Sequence, residues 1–180
     1  MTKLTINEAR SPRHIEAVER LLRDYLLWMR RRYHAHLDMI DAYFDEREWQ
    51  SELADLPGHY GQPHGAIVLA LVDGQPAGCV VMRGIGFSVA EMRRLFVRPA
   101  FRGMGVARRM IDTLLDLSCR RGYSLMRFEA VAFETEVELL CDVMGFRRIA
   151  PYYACPEWLE RRAHFFEAGT CTAGQTHIAA

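Results

Sequence analysis

Lysine is almost missing from this chain. Lys3 is the only one, and arginine supplies the rest of the 23 basic residues. A nucleotide-binding P-loop, which must end in Gly-Lys-Ser/Thr, is thereby excluded. Long apolar runs are missing too. The longest, Ala66-Ile67-Val68-Leu69-Ala70-Leu71-Val72, falls far short of the roughly 20 residues of a membrane-spanning helix, so no span is expected. Met1-Thr2-Lys3-Leu4-Thr5 has no apolar signal core, which places the expected location in the cytoplasm. No C-x-x-C pair occurs, and zinc-ligand spacing is absent. Cys79, Cys119, Cys141, Cys155 and Cys171 form an odd, scattered set and read as free thiols. Net charge is zero, and the arginines are spread over strand, loop and helix segments, so a nucleic-acid-binding module is not expected.

What remains is an ordinary globular composition, half hydrophobic and about a quarter charged. The 180 residues fit one domain, 1–180, with a core over about 4–168 and a loose tail from Gly169. Leu4–Glu8 reads as a strand. Ser11-Pro12 then caps a helix whose apolar residues recur at Ile15, Val18, Leu21, Leu22, Tyr25, Leu26 and Met29. Phe44, Trp49, Leu53 and Leu56 suggest a second helix, stopped by Pro57-Gly58. Ala66–Val72 and Ala77–Met82 pair across the turn Asp73-Gly74-Gln75-Pro76, and Val89–Val97 is a third extended segment. A long helix begins near Gly103 and stops at Gly122, with Leu125–Ala130 a strand after it. Helix Thr135–Met144, strand Phe146–Ile149 and strand His164–Ala168 complete the order. The fold class is α/β (α+β), a mixed sheet with helices on both faces.

Charge is unevenly placed. Between Arg83 and Arg127 lie ten arginines and three carboxylates, whereas Asp38 to Asp55 holds seven carboxylates and one arginine. Either pattern suits solvated helix faces. Otherwise the basic half suits an anionic ligand and the acidic half faces something cationic.

The chemistry concentrates in Glu91-Met92-Arg93-Arg94-Leu95-Phe96-Val97-Arg98-Pro99-Ala100-Phe101-Arg102-Gly103-Met104-Gly105-Val106-Ala107. Physically this is a strand, a tight basic loop and a helix start. Glycines at 103 and 105 allow close backbone approach, and the first helical amides suit a phosphate, with Arg102 and Arg108 adding charge. A dinucleotide fingerprint fails, because Arg108 stands where its third glycine is required.

The loop Arg102-Gly103-Met104-Gly105-Val106-Ala107 resembles the R/Q-x-x-G-x-G/A loop of the GNAT N-acetyltransferase superfamily. Leu95-Phe96-Val97-Arg98-Pro99 is similar to the family's strand end, and Glu138-Leu139-Leu140-Cys141-Asp142-Val143-Met144-Gly145-Phe146 to its last helix and "G-F" ending. Leu53–Gly58 and Ile149–Tyr153 look like segments of one bacterial subgroup. The resemblance implies a mostly antiparallel sheet with a splayed pair of strands, and acetyl-CoA as co-substrate with no metal. Backbone amides from Arg102 to Ala107 would hold the pyrophosphate. The main chain of Leu95, Phe96 and Val97 would pair with the pantetheine arm, and the Val97 amide would polarise the thioester carbonyl. It also implies a small-molecule or peptide amine as acceptor, and a homodimer.

Direct transfer needs a base for the amine and an acid for the thiolate. Glu91 is the candidate base, or else a structural partner of Arg93, Arg94 or Arg127. The family's usual tyrosine is replaced by Cys141, which is a candidate acid or simply a packed thiol, and Tyr152 or Tyr153 could supply the phenol instead. The family's asparagine is also missing near Phe133-Glu134-Thr135. A catalytically idle acyl-CoA sensor is therefore the alternative reading. The acidic segment favours a cationic acceptor. His34, His36 and Asp38 read as solvent-facing rather than metal-binding, His59 and His64 as ordinary loop residues or else acceptor contacts, and Trp28, Tyr33, Phe44 and Trp49 as core rather than pocket.

Overall fold

The computed structural model describes residues 2–131 and 135–171. Seven strands form one sheet in the order β1-β2-β3-β4-β5-β7-β6. They are β1 (Leu4–Glu8), β2 (Ala66–Val72), β3 (Gln75–Gly84), β4 (Val89–Val97), β5 (Leu125–Val131), β6 (Arg147–Ile149) and β7 (Ala163–Gly169). All neighbours run antiparallel except β4 and β5. The expected mixed, mostly antiparallel sheet is therefore present.

Helices cover both faces, and the period-two alternation of β2 explains how. Ala66, Val68, Ala70 and Val72 pack towards α5 (Val106–Arg120). Ile67 and Leu69 pack towards α1 (Pro12–Arg32) and the short helices α2 (Leu37–Tyr43), α3 (Glu46–Ala54) and α4 (Leu56–Tyr60). A strand buried on both faces must be apolar throughout, which is why β2 is the longest apolar run of the chain. Helix α6 (Thr135–Val143) flanks the α5 side, and α7 (Glu157–Glu160) precedes β7.

Ser11 caps α1, its hydroxyl accepting from the His14 amide, with Pro12 in the first turn. The region after α1 differs from the single helix that its aromatic spacing suggests. Asp45 caps α3 through the amides of Arg47 and Glu48, and Asp55 caps α4 through Gly58. Pro57-Gly58 thus lies inside a short helix instead of stopping one. Proline is tolerated there because the first-turn amides have no internal partner to lose.

The thiols differ as well. Cys119 and Cys171 form a disulfide across 52 residues, leaving Cys79, Cys141 and Cys155 free. The pairing is tertiary in origin. Gly169 pairs with Leu125 at the end of β7, and the Thr170 amide donates to the Ser124 carbonyl (3.1 Å), which delivers Cys171 to the last turn of α5. The expected loose tail is accordingly tied down through Cys171, while 172–180 lie outside the described residues.

One irregularity shapes everything around the site. Val81 pairs with Arg93 but Cys79 pairs with Phe96, so β4 carries an extra residue opposite Val80. Arg94 sits in this bulge with φ +57°, a left-handed conformation that costs a side-chain-bearing residue about 1–2 kcal/mol. Its guanidinium forms a two-pronged bond to Glu52 on α3, Nε to Oε1 at 2.9 Å and Nη2 to Oε2 at 2.7 Å. Phe44 and Trp49 stack near the same cation, at 4.9 and 5.0 Å. Burial alone would raise the Glu52 pKa, but the hydrogen bonds and charge of Arg94, with help from Arg93 and Tyr60, outweigh it and hold the carboxyl below its usual range. Replacing Glu52 by Gln should cost about 3 kcal/mol at neutral pH, because it leaves a buried cation without its counter-charge. A depressed folded-state pKa contributes stability above the unfolded value and loses it as pH falls through the folded one. The gap between parent and Glu52→Gln in urea unfolding should therefore close below pH of about 4.3; equal stability of the two proteins at pH 7 would refute the pairing.

Candidate active site

The two parallel strands part company after three residues. Val89, Ala90 and Glu91 pair with Leu125, Met126 and Arg127, and from Met92 onward β4 has no partner on its β5 side. This splay exposes one edge of β4, whose unpaired main-chain groups can receive an extended ligand as an added strand. Beside that edge lies a cavity of about 430 Å³, walled by Leu95, Phe96 and Val97 on one side and the loop into α5 on another.

The loop explains its own glycines. Gly103 and Gly105 have φ of +76° and +73°, with open space where a Cβ would stand. Backbone conformation, rather than crowding, is what demands glycine here. The Arg109 amide is the first of α5 to bond back, to the Gly105 carbonyl (3.1 Å). Amides from Gly103 to Arg108 make no backbone hydrogen bond among the described residues and carry the positive end of the helix dipole. Arg102 departs from the expected cradle, since its amide donates to the Pro99 carbonyl (3.3 Å). Its side chain bonds the Val97 carbonyl (3.1 Å) and lies 4.1 Å over the Trp28 ring. Arg102 thus ties the end of β4 to α1 at the cavity wall. Gly103, Gly105, Val106, Ala107 and Arg108 share that wall, whereas the Met104 side chain is exposed and off it.

A second cavity of about 410 Å³ opens near the β4–β5 fork. Glu91, Arg83, Arg93, Glu129, Tyr43, Tyr152 and Tyr153 line it. A gap of only about 20 Å³ shares Tyr25, Leu95 and Val137 with the first cavity and Tyr43, Arg93 and Glu129 with the second. These shared walls place the gap between the two, at the splay itself.

The structure brings Glu91 and Tyr152 together but leaves Cys141 apart. Glu91 is buried; its Oε1 accepts from the Tyr152 hydroxyl (2.8 Å) and its Oε2 from Arg83 Nε (2.9 Å). Arg93 approaches Oε2 at 3.7 Å. Arg94 and Arg127 are paired elsewhere, with Glu52 and Glu167. Burial, reinforced by the neighbouring Glu91, pushes the Tyr152 phenol well above the usual tyrosine range. Cys141 packs in the core beneath α6, and burial together with Asp142 and Glu138 pushes its thiol up to about 12.

Two groups of residues escaped the sequence. Tyr25, Trp28 and Tyr33 look like core at helical spacing, yet they line the first cavity. Glu129 is missed because only the register of β5 reveals it; it accepts from Tyr153 and is also bonded to Tyr43. The Phe133-Glu134 position of the missing asparagine lies outside the described residues. His34 and His36 form a short 3-10 turn after α1, and His59 lines a neighbouring cavity.

Comparison with known proteins agrees with this fold. A family model described as the acetyltransferase (GNAT) family matches residues 16–138. The chain is 27% identical over 157 residues to an uncharacterised N-acetyltransferase of Schizosaccharomyces pombe, covering 86% of this chain and 90% of that protein. It is 27% identical over 129 residues to the N-acetylaspartate synthetase of Homo sapiens, covering 69% of this chain but 42% of that one. Among solved structures, an acetyltransferase of Streptococcus agalactiae superposes with a TM-score of 0.70 at 17% identity, over 91% of this chain and 96% of that one. The PaiA N-acetyltransferase of Thermoplasma acidophilum, solved with coenzyme A, gives 0.68 at 12% identity, over 93% and 99%. At these identities the structures show the fold alone. The chain belongs to the GNAT family of acetyltransferases, whose members generally depend on acetyl-CoA.

Proposed function

We propose that this protein transfers acetyl directly from acetyl-CoA to a primary amine, with the cofactor in the 430 Å³ cavity and the acceptor in the 410 Å³ one. The observation that carries the reading is the gap that shares walls with both at the β4–β5 splay, which brings the two cavities near one another. The amides of Gly103 through Arg108 hold the pyrophosphate, Arg108 adds charge, and the open edge of β4 from Leu95 to Val97 takes the pantetheine arm. The Val97 amide polarises the thioester carbonyl.

In the reaction the amine nitrogen attacks the carbonyl carbon, the carbon–sulfur bond breaks, and coenzyme A leaves as its thiolate. The nitrogen loses a proton to a carboxylate, and the thiolate takes one from water. Both carboxylates in the acceptor cavity accept hydrogen bonds, Glu91 from Tyr152 and Arg83, and Glu129 from tyrosines, but only Glu129 also lines the gap. Glu129 is therefore the base in this reading. Glu91 holds Tyr152 and Arg83 in place, and the raised Tyr152 phenol is a positioning group rather than the acid. Cys141 supports α6 against the core. The relatives do not choose the acceptor: N-acetylaspartate synthetase names its own product, but this chain spans less than half of that protein.

Two outcomes follow. Acetyl-CoA should raise the thermal midpoint, by about 2.7 kcal/mol of stabilisation at a hundredfold excess over Kd, with NAD giving none; no rise at millimolar acetyl-CoA would remove the cofactor reading. Glu129→Gln should lower kcat/KM about a hundredfold with acetyl-CoA affinity kept, and Glu91→Gln should lower it less. The reverse order would return the base to Glu91, and an idle parent that still binds acetyl-CoA would favour the sensor.

A further inference from the structure

Most carboxylates of the acidic segment that suggested a cationic acceptor have partners within the protein. Asp41 pairs with Arg30, Asp45 and Asp55 cap helices, Glu46 accepts from the Gln50 amide, and Glu52 holds Arg94. The acceptor cavity holds two arginines, Arg83 and Arg93, beside Glu91 and Glu129. Arg93 Nε is buried and has no hydrogen-bond partner among the described residues. Its ion pair with Glu91, at 3.7 Å, is too long for a hydrogen bond. Yet Arg93 lines the acceptor cavity, the gap, and a neighbouring cavity of about 510 Å³. A buried donor left unmet costs about 1–3 kcal/mol, and more when charged; Arg94 Nη1, Arg121 Nη1 and Ser118 Oγ are also unmet, but only Arg93 lines the acceptor cavity, where a ligand can complete it. Arg83 lines two of these three, the acceptor cavity and the neighbouring one, half exposed, with its Nε on Glu91.

We infer that the acceptor is an amine that also carries a carboxylate, a free amino acid in size, with the carboxylate seated on Arg93 and assisted by Arg83. The amine then faces Glu129 and the gap. A guanidinium presents parallel N–H groups that match a carboxylate in two-pronged fashion, which neither a carboxamide nor a cation can match. The cavity of about 410 Å³ suits a small molecule. This inference rests on the acetyl-transfer reading above and specifies its acceptor.

The test follows thiol release from acetyl-CoA with matched pairs, each amino acid against its own carboxamide, and with spermidine and kanamycin as cationic acceptors. Carboxylate-bearing members should be favoured by at least about tenfold in kcat/KM, since a site built to bond a polar group rejects the analogue that lacks it. Arg93→Gln should abolish that preference through KM while stabilisation by acetyl-CoA stays as in the parent. Arg83→Gln, at a half-exposed position that does not endanger folding, should reduce the preference by a smaller factor. Equal or better use of carboxamides or polycations overturns the inference, as does a preference that survives both substitutions. Acetyl-CoA binding without turnover of any acceptor also overturns it, leaving the cofactor reading intact. Failure to bind acetyl-CoA instead defeats the transferase reading, and this inference with it.

Discussion

The buried pairing of Arg94 with Glu52 is the constraint on which the rest depends. A bulge places an arginine in a left-handed backbone conformation in the middle of a strand, and that is unfavourable on its own. The ion pair and the ring faces of Phe44 and Trp49 compensate for it. In doing so they also fasten α3 to β4. A bulge bends its strand and increases its twist, and β4 parts from β5 at Met92, two residues before Arg94. The splay, the open strand edge and the gap between the two cavities all lie within a few residues of that bend.

Charge in this protein does two separate jobs. At the α5 terminus it is supplied by backbone amides that lack carbonyl partners, a fixed field that needs no side chain to be ordered. Around the fork it is supplied by arginines and carboxylates in alternation: Arg83 on Glu91, Arg94 on Glu52, Arg127 on Glu167. Among the described residues Arg93 Nε, Arg94 Nη1, Arg121 Nη1 and Ser118 Oγ are buried and unmet, and of these four residues only Arg93 lines the second cavity.

Much of the architecture was legible because local rules decide it. The Ser11-Pro12 start of α1, the alternation of β2 and the positive-φ glycines of the loop each follow from backbone geometry within a few residues. The glycine loop into α5 was legible for the same reason, since a strand, two glycines and a helix start are contiguous. Errors arose where distant segments meet. Pro57-Gly58 opens a helix because Asp55 caps it, and Cys119 finds Cys171 because β7 ends beside α5.

The sequence by itself determined the mixed sheet with helices on both faces and the glycine-marked loop into α5, because periodicity and glycine placement are properties of short stretches of chain. Only the tertiary structure decided which carboxylates and arginines share a cavity. Glu91 and Tyr152 are 61 residues apart, and Arg94 and Glu52 are 42 apart, yet each pair is in hydrogen-bond contact. Whether a charge is spent on a partner or left for a ligand depends on those long-range contacts. The acidic segment looked like a binding surface in the sequence, yet in the fold Glu52 holds Arg94 and Asp41, Asp45, Glu46 and Asp55 bond to nearby groups of the protein.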